Sequence, residues 1–153
     1  MVPIFRLLPG KIFWSLRYCI LRINGCKLQM TSYVYSTTII VAPHELELGT
    51  YSTIGPRVYV GGGPVKIGSC VTISQEAMLL PSSHLTKGLS MEYFEEEIKI
   101  DDNVWVAARG VVGPGVHLQK RVVIGAGSVY FTKSSETNTI YVGNPARKVR
   151  SRY

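Results

Sequence analysis

Aliphatic residues recur every six positions from residue 48 onward. The positions of this series are Leu48, Ile54, Val60, Ile67, Ile73 and Leu79, then Ile100, Val106, Val112, Leu118, Ile124 and, as a weaker last member, Tyr130. One extra residue enters the first half of the series around Gly62-Gly63-Pro64. An amphipathic α-helix repeats its apolar positions about every 3.6 residues and a half-buried strand about every two, so neither element explains this period.

Small residues accompany the aliphatic series at two further positions. The residue directly after it is often glycine, as at Gly49, Gly55, Gly61, Gly68, Gly113 and Gly125. The fourth residue after it is small or β-branched, as at Ser52, Val58, Val71, Ala77, Ser83, Val104, Val116, Val122 and Ser128. A coil with three flat sides produces this pattern, because each side is a short strand with one aliphatic side chain pointing into a narrow triangular interior. The repeats therefore predict a parallel β-helix, in which several coils must stack before the core closes.

Three six-residue sides make one coil, and the repeats define the extent of the domain. Residues 48–84 and 100–135 supply two coils each, and residues 30–47 form an imperfect first coil with Val34, Ile40 and Leu46 in phase. We predict an all-β domain of about five coils over residues 30–143. Residues 85–99 interrupt the rhythm as one long loop, and long loops in compact domains are usually functional.

The segments on either side of the repeats have a different pattern. Residues 1–29 form an amphipathic N-terminal segment, in which Pro9 to Ile23 reads as one helix with polar and apolar faces. Residues 144–153 form a basic tail, and Asn144-Pro145 has the residue types of an N-cap and a first helical turn. A short C-terminal helix is therefore predicted.

The composition limits the class of protein. A chain of 153 residues, 46% hydrophobic and 18% charged, is long enough for one domain with a real core and too apolar for disorder. No apolar run approaches the ~20 residues that span a bilayer, and no cleavage pattern of a signal peptide follows the N-terminal segment. The three cysteines have no C-x-x-C spacing and are expected to be reduced, with burial favoured over a catalytic role. We therefore expect a cytoplasmic protein.

Positive charge is concentrated at the two ends of the chain. The net charge is +7, residues 1–44 contain basic residues and no acid, and Arg147, Lys148, Arg150 and Arg152 stand close together near the C-terminus. This asymmetry favours an anionic partner, such as a phosphate group of a small molecule, a lipid headgroup or nucleic acid. For the N-terminal set, a solvated basic face is an equal alternative.

One of the three histidines, His84, has the position of a catalytic residue. It ends the hexad Pro81-Ser-Ser-His84 where the long loop begins, so it is expected at a corner of a coil beside that loop. Histidine suits a general base at neutral pH. On spacing alone, a surface histidine at a turn is the simpler interpretation. His44 and His117 lack this setting.

Several segments together resemble the hexapeptide-repeat acyltransferases. They are Ile100-Asp-Asp-Asn-Val-Trp-Val-Ala107, Pro114-Gly-Val116, Ile124-Gly-Ala-Gly-Ser-Val129 and Val142-Gly-Asn-Pro-Ala-Arg-Lys-Val-Arg150. The resemblance covers residues 30–150, and its nearest branch is that of the small sugar O-acetyltransferases, which includes maltose, galactoside, nodulation-factor and exopolysaccharide enzymes. It implies a left-handed parallel β-helix, a homotrimer, and acetyl-CoA as co-substrate, bound between neighbouring subunits without a metal ion.

The resemblance also implies roles for individual residues. The catalytic histidine of the family falls on His84, which would remove the proton of the acceptor hydroxyl as that oxygen attacks the thioester, with no covalent acyl-enzyme. The coenzyme A contacts of the family fall on Ala126, Thr132, Lys133, Arg147 and Arg150. Arginine and lysine are suited to bind the phosphates of this cofactor. The chain departs from the family pattern by one additional residue between Ser128 and Thr132.

The acceptor side departs most from the family. Relatives that act on simple galactosides have an Asn and Asp cluster before the catalytic histidine, where this chain has Tyr59-Val-Gly-Gly-Gly63. Trp105 matches a tryptophan at the acceptor pocket of galactoside-type relatives, and packing at the trimer interface is an equal alternative. Tyr93 of the long loop is a further predicted acceptor residue. Glu76, one strand before His84, is another, and it would orient the imidazole.

The prediction is an acetyl-CoA-dependent O-acetyltransferase that modifies a hydroxyl of a sugar or glycan precursor. The alternatives are an N-acetyltransferase acting on an amino sugar or antibiotic, and a β-helical binding or scaffold protein without catalysis. A zinc-dependent carbonic anhydrase of the same fold is disfavoured, because the nearest two histidines are 33 residues apart. No nucleic-acid partner is implied. The basic N-terminus is explained equally by contact with the inner face of a membrane and by packing on the trimer.

Overall fold

The chain forms one helix followed by a parallel β-solenoid, in a computed structural model that describes residues 13–86 and 90–153. The helix α1 spans Trp14–Ile23, and Pro43–Glu45 forms a short 3-10 turn. The strands in chain order are β1 (Lys27–Leu28), β2 (Tyr33–Val34), β3 (Ile39–Ile40), β4 (Leu46–Leu48), β5 (Thr53–Ile54), β6 (Tyr59–Val60), β7 (Val65–Ile67), β8 (Thr72–Ile73), β9 (Met78–Leu79), β10 (Ser82–His84), β11 (Tyr93–Glu95), β12 (Ile98–Ile100), β13 (Trp105–Val106), β14 (Val111–Val112), β15 (His117–Leu118), β16 (Val123–Ile124), β17 (Val129–Tyr130), β18 (Thr139–Gly143) and β19 (Ala146–Ser151).

Successive strands join three sheets in turn, and these sheets form the sides of the solenoid. Face A contains β1, β4, β7, β12 and β15, face B contains β2, β5, β8, β13, β16, β18 and β19, and face C contains β3, β6, β9, β14 and β17. Neighbouring strands within each face are parallel, except for the final pair β18 and β19. We name each corner by the two faces that it joins, as the AB, BC and CA corners.

The aliphatic series lines the interior of the solenoid. All its members, from Leu48 to Tyr130, are at most 4% exposed. Members in neighbouring coils pair in register, as Ile54 of β5 does with Ile73 of β8. The companion residues at the fourth position are also buried, except Ser83, which is exposed because the chain leaves the solenoid there. The predicted parallel β-helix is therefore confirmed.

Glycine follows the aliphatic residue where neighbouring coils approach too closely for a side chain. A Cβ atom added at Gly49 would lie 2.6 Å from the carbonyl carbon of Gly68 in the next coil. One added at Gly68 would lie 2.6 Å from a carboxylate oxygen of Asp102. Both distances are well below the roughly 3.5–4.0 Å at which carbon atoms attract each other. The glycine column of the sequence is therefore a consequence of coil stacking.

The solenoid has about 6 coils, one more than the repeats predict. The additional coil is the last one, to which the chain contributes β18 and β19. Thr139 and Tyr141 point inward from β18 and are 3% and 8% exposed. Because neither is Leu, Ile or Val, the aliphatic repeat ends one coil before the structure does.

The predicted C-terminal helix is wrong. β18 runs parallel to β16, the chain turns at the cis Asn144–Pro145 peptide, and β19 returns antiparallel to β18. Without β19, the outer edge of β18 would present unpaired N–H and C=O groups. Pairing of this edge therefore outweighs the helical signal of Asn144-Pro145.

Between β9 and β12 the chain leaves the solenoid at the CA corner. β10 and β11 pair antiparallel, with Ser82 opposite Glu95 and His84 opposite Tyr93. The Glu96 N–H donates to the Pro81 carbonyl at 2.8 Å and closes the base of this unit. We call β10, β11 and the described residues between them (85–86 and 90–92) the hairpin. It is the one interruption of the coils within the described residues, and β12 already belongs to face A.

The helix α1 lies against the first coil. Leu21 is buried in the core together with Cys26, and the Arg17 guanidinium donates to the Tyr33 hydroxyl at 2.7 Å. Residues 9–12 of the predicted helix lie outside the described residues. Within the described ranges, no helix is long and apolar enough to cross a membrane.

Candidate active site

His84 is the last residue of β10 and is exposed at the CA corner. Its Nδ1 atom lies 2.8 Å from the Met91 carbonyl oxygen. Because a carbonyl oxygen only accepts, Nδ1 carries the donated proton, and in the neutral ring Nε2 keeps its lone pair. The ring meets the Tyr93 ring at a centroid distance of 5.7 Å and an interplanar angle of 64°. The hairpin therefore holds the imidazole in the tautomer that a general base requires.

Tyr93 is itself positioned by the hairpin. Its hydroxyl donates to a Glu95 carboxylate oxygen at 2.5 Å, and this hydrogen bond raises the pKa of Tyr93. The phenol therefore remains protonated at neutral pH, and it lies beside the imidazole as a hydroxyl group and an exposed aromatic surface. This position allows it to contact a substrate bound at His84.

Ion pairs hold the hairpin against the solenoid. Glu96, directly after β11, pairs with Lys133, which follows β17. Glu97 pairs with Lys66 of β7 at 2.5 Å. Thr132 precedes Lys133 at the same corner, and both residues are exposed. Single exposed pairs contribute little to stability, but together these pairs tie the His84 hairpin to the corner that carries two predicted coenzyme A residues.

Trp105 lies on the outer side of face B, where 45% of it is exposed. Its indole N–H donates to the Ser74 hydroxyl at 2.8 Å. A shallow cavity of about 400 Å³ beside it is lined by Cys70, Thr72, Ser74, Asn103, Val104 and Arg152. The Arg152 guanidinium donates to the Asn103 carbonyl at 2.8 Å. An indole face beside hydroxyl and guanidinium donors is suited to bind a polar ring.

Arg147 and Arg150 share one side of β19 because its pairing is irregular. In a regular strand, positions three apart point to opposite sides. Here Arg147 pairs with Val142 and Arg150 pairs with Ile140, because the register shifts between Ile140 and Tyr141. Tyr141 is buried, so its two neighbours in β18 point outward, and the arginines opposite them do the same. The bulge thus places two exposed guanidinium groups on the outer side of face B.

A continuous row of residues connects Arg150 with Trp105 along the outer side of face B. Register pairs join Arg150 to Ile140, Ile140 to Val123, and Val123 to Trp105. Neighbouring strands lie about 4.8 Å apart, so roughly 14 Å separates the two ends of this row. An extended ligand with an anionic end would contact both.

Glu76 and Ala126 lie at the BC corner. The Glu76 carboxylate accepts from Arg109 and from Arg57, each at 2.6 Å. These hydrogen bonds lower the pKa of Glu76, and the one from Arg109 has the larger effect. No hydrogen bond or ion pair joins Glu76 to His84 within the described residues, and the orienting partner of the imidazole is the Met91 carbonyl. Ala126 is exposed in the turn between β16 and β17.

The predicted site residues thus fall into three groups in one chain. His84, Tyr93, Thr132 and Lys133 share the CA corner, Trp105, Arg147 and Arg150 share face B, and Glu76 and Ala126 share the BC corner. The CA corner lies opposite face B in the triangular cross-section. One chain therefore does not bring the predicted general base and the predicted phosphate ligands to one place.

Sequence reasoning missed three groups at these positions. The Met91 carbonyl has no signal in the sequence, because any residue type supplies a backbone oxygen. Ser74 reaches Trp105 only because β8 and β13 are neighbours in face B, although the hairpin lies between them in the chain. Arg152 belongs to the basic tail, and the path of β19 carries it to Asn103. In residues 13–86 and 90–153, no three His, Cys, Asp or Glu side chains are grouped to hold a metal ion.

Comparison with known proteins agrees with the resemblance seen in the sequence. No protein-family model matches the chain. The galactoside O-acetyltransferase of Escherichia coli K12 is 36% identical over 91 residues, which are 56% of this chain and 43% of that protein. A hexapeptide-repeat acetyltransferase from Vibrio cholerae superposes with a TM-score of 0.83 and 25% identity, over 96% of this chain and 86% of that one. A maltose O-acetyltransferase from Clostridium difficile 630 gives a TM-score of 0.82 and 25% identity, over 96% and 81% of the two chains.

In sequence and in fold, the chain is therefore similar to hexapeptide-repeat acetyltransferases. The chain spans less than half the length of the first curated relatives that it matches, 42% and 43%. The Vibrio protein has also been solved in complex with acetyl-CoA, and that structure superposes with a TM-score of 0.75 and 22% identity, over 96% of this chain and 82% of that one.

The Glu76 cluster generates a prediction about stability and pH. Because Arg109 and Arg57 lower the folded-state pKa of Glu76, its charge stabilises the fold above the ordinary carboxyl range, and this contribution is lost as the pH falls through the lowered pKa. We expect Glu76→Gln to unfold at lower urea concentration than the parent chain at pH 7, and the difference to narrow below about pH 4. Glu92→Gln, which changes an exposed acid of the hairpin, should show no such narrowing. A difference that is constant with pH would contradict the argument.

Proposed function

We propose that this protein is an acetyl-CoA-dependent O-acetyltransferase that acts in the cytoplasm on a hydroxyl of a sugar or glycan precursor. The observation that carries the proposal is the hydrogen bond from His84 Nδ1 to the Met91 carbonyl at 2.8 Å, which leaves Nε2 free on an exposed corner. The names of the galactoside and maltose O-acetyltransferases among its relatives support the type of acceptor.

The proposed chemistry is direct transfer between two bound substrates. His84 Nε2 accepts the proton of the acceptor hydroxyl while that oxygen attacks the thioester carbonyl of acetyl-CoA. The tetrahedral oxyanion collapses with cleavage of the carbon–sulfur bond, and the imidazolium returns the proton to the leaving thiolate. Hydrogen-bond donors are needed at the oxyanion, and Ser82 and Ser83, beside His84 in β10, are candidates together with a backbone N–H of a neighbouring subunit. No acyl-enzyme is formed.

The outer sides of the three faces differ in a way that supports assembly through face C. The outward row of face A is Lys27, Glu47, Lys66, Lys99 and His117. The outward row of face C is Ile39, Tyr59, Met78, Val111 and Val129, without a charged residue. Met78 is 44% exposed in the single chain. A charged face remains in water, whereas a continuous apolar face requires a partner.

We propose that face C of one subunit packs toward face B of the next in a closed homotrimer. A ring of this kind joins two different faces at every contact. The CA corner borders face C, so the His84 hairpin of one subunit would come to the outer side of face B of its neighbour. Trp105 and Arg150 lie on that side. The assembly would therefore complete the site that one chain leaves divided.

In this arrangement acetyl-CoA lies between two subunits. Arg147 and Arg150 bind its phosphates, and Lys133 does so after it exchanges Glu96 for a phosphate. Thr132 and Ala126 contact the rest of the cofactor. The Vibrio relative solved with acetyl-CoA supports this cofactor. Trp105 offers its indole face to the acceptor sugar, and Tyr93 approaches the acceptor from the hairpin.

The proposed general base is tested by His84→Ala. We expect kcat for acetyl transfer to fall by about 10²- to 10⁴-fold, the usual range for loss of a general base, with a small change in KM for acetyl-CoA. Thiol release is measured with a panel of galactosides, maltose and amino sugars as acceptors. His117→Ala, on face A beside Asp101, is the matched control and should retain activity. Full activity of His84→Ala would refute the mechanism, and preference for an amino sugar amine would replace O-transfer by N-transfer.

The proposed phosphate ligands are tested by thermal denaturation with coenzyme A. We expect the cofactor to raise Tm of the parent chain, and the double variant Arg147→Gln/Arg150→Gln to require at least about 10-fold more cofactor for the same shift. The control Lys27→Gln/Lys99→Gln removes the same charge from the outward row of face A. An equal loss in the control would show a general charge effect instead of a site.

Sharing of the site between subunits is tested by mixing two variants at an acetyl-CoA concentration well below the KM of the parent chain, where each variant alone has little activity. When His84→Ala and Arg147→Gln/Arg150→Gln chains are coexpressed, random assortment gives an intact pair of half-sites at about a quarter of the interfaces. We therefore expect about a quarter of the parental activity if the histidine and the arginines come from different subunits. If both come from one chain, no activity returns, because every chain carries one of the two changes.

A further inference from the structure

The N-terminal end of the solenoid carries an apolar surface away from the proposed active site. Helix α1 turns Arg17 and Leu21 toward the first coil, where they are 0% and 5% exposed. Phe13, Leu16 and Ile23 are 40%, 50% and 85% exposed. At 100° per residue, Leu16 and Ile23 lie about 20° apart around the helix axis and roughly 130° from the direction midway between Arg17 and Leu21, and Phe13 lies between these two directions. The helix is therefore apolar on two sides, and only one of them is covered by the solenoid.

The corners of the first coil extend this surface around the end of the solenoid. Met30 at the AB corner is 47% exposed, Tyr35 at the BC corner is 39% exposed, and Val41 at the CA corner is 54% exposed. The apolar side chains thus surround the end of the solenoid instead of following one of its faces. A partner that is broad and flat would contact them better than a partner bound along a side.

The charge of the same region is mainly positive. The first acidic residue of the sequence is Glu45, and Arg22 is exposed at this end, whereas the exposed Lys27 pairs with Glu47 of the next coil at 2.9 Å. Arg6 and Lys11 precede α1 in the sequence. Apolar side chains flanked by basic residues are the combination by which amphipathic helices bind anionic lipid surfaces.

A second copy of the chain is a poorer match for this surface. Two such ends facing each other would bring like charges together. The opposite end of the solenoid is also basic, since β19 carries Arg147, Lys148 and Arg150. End-to-end contact in either direction therefore opposes positive charges. An anionic lipid surface complements both the charge and the flat shape.

We propose that the N-terminal end of the solenoid, through the exposed side of α1, docks on an anionic lipid surface. Phe13, Leu16 and Ile23 enter the boundary between headgroups and acyl chains, and Arg22 contacts the headgroups. The docking does not depend on the proposed acetyl transfer. In the proposed trimer, three such ends face the same direction, so weak binding by each helix is multiplied by simultaneous contact.

Vesicle flotation with the full chain tests this proposal. The probes are vesicles of phosphatidylcholine alone and of phosphatidylcholine with 30 mol% phosphatidylglycerol. We expect the bound fraction to rise several-fold with phosphatidylglycerol and to decrease in 0.5 M salt. Leu16→Ser/Ile23→Ser should lower the partition coefficient about 10-fold or more, and Arg22→Gln should lower it about 5-fold. Val149→Ser is the matched control, because Val149 is 62% exposed on β19 at the other end.

Three outcomes would overturn the proposal. They are absence of binding to anionic vesicles by the parent chain, equal binding by Leu16→Ser/Ile23→Ser, and equal loss in Val149→Ser. Circular dichroism and Tm establish that the helix variants remain folded. Light scattering without lipid is a further test. A molar mass of Leu16→Ser/Ile23→Ser below that of the parent chain would identify α1 as a contact between copies instead of a lipid-binding surface. Acetyl transfer assayed in the same preparations keeps failure of docking distinct from failure of the proposed reaction.

Discussion

The narrow triangular interior of the solenoid constrains every coil of this protein. Each side of a coil has room for only one or two inward side chains, such as Leu46 and Leu48 of β4. These side chains must fill the space left by their counterparts on the other two sides and in the coils above and below. Ile54 and Ile73 satisfy this condition in consecutive coils and are both fully buried. Close approach of the coils also excludes a side chain at Gly49 and Gly68. With the interior filled in this way, polar chemistry is confined to the outer sides and the corners.

The features that suggest function are the places where the chain departs from the regular coil. The hairpin at the CA corner supplies the Met91 carbonyl that orients His84. The bulge in β19 turns Arg147 and Arg150 to the same side. Both departures rest on rigid parallel strands that hold their positions. The regular repeat therefore provides the frame, and its interruptions provide the chemistry.

The three faces present different chemistry to solvent although they share one repeat. The repeat specifies inward positions only, so the outward position of each strand is free to vary. Face A carries charged residues such as Glu47 and Lys66 along its length, whereas face C carries Tyr59 and Met78 at the corresponding positions. This difference gives the solenoid a direction for assembly, with one side suited to water and another suited to a protein partner.

The sequence by itself determined the core, because a six-residue period of aliphatic residues is compatible with one stacking arrangement and each member of the series is buried. The sequence also indicated that His84 lies at the edge of a coil, because the six-residue repeat is interrupted directly after this residue. The last coil could not be predicted in this way, because Thr139 and Tyr141 occupy inward positions without being aliphatic. The antiparallel pair of β18 and β19 could not be predicted either, because β19 is stabilised by the open edge of β18. Only the tertiary structure decided which residues meet outside the core. Met91 acts through its backbone, Ser74 contacts Trp105 from the neighbouring coil, and the arginine pair depends on a register shift. In each case the physical cause is a contact between segments that leaves no period in the sequence.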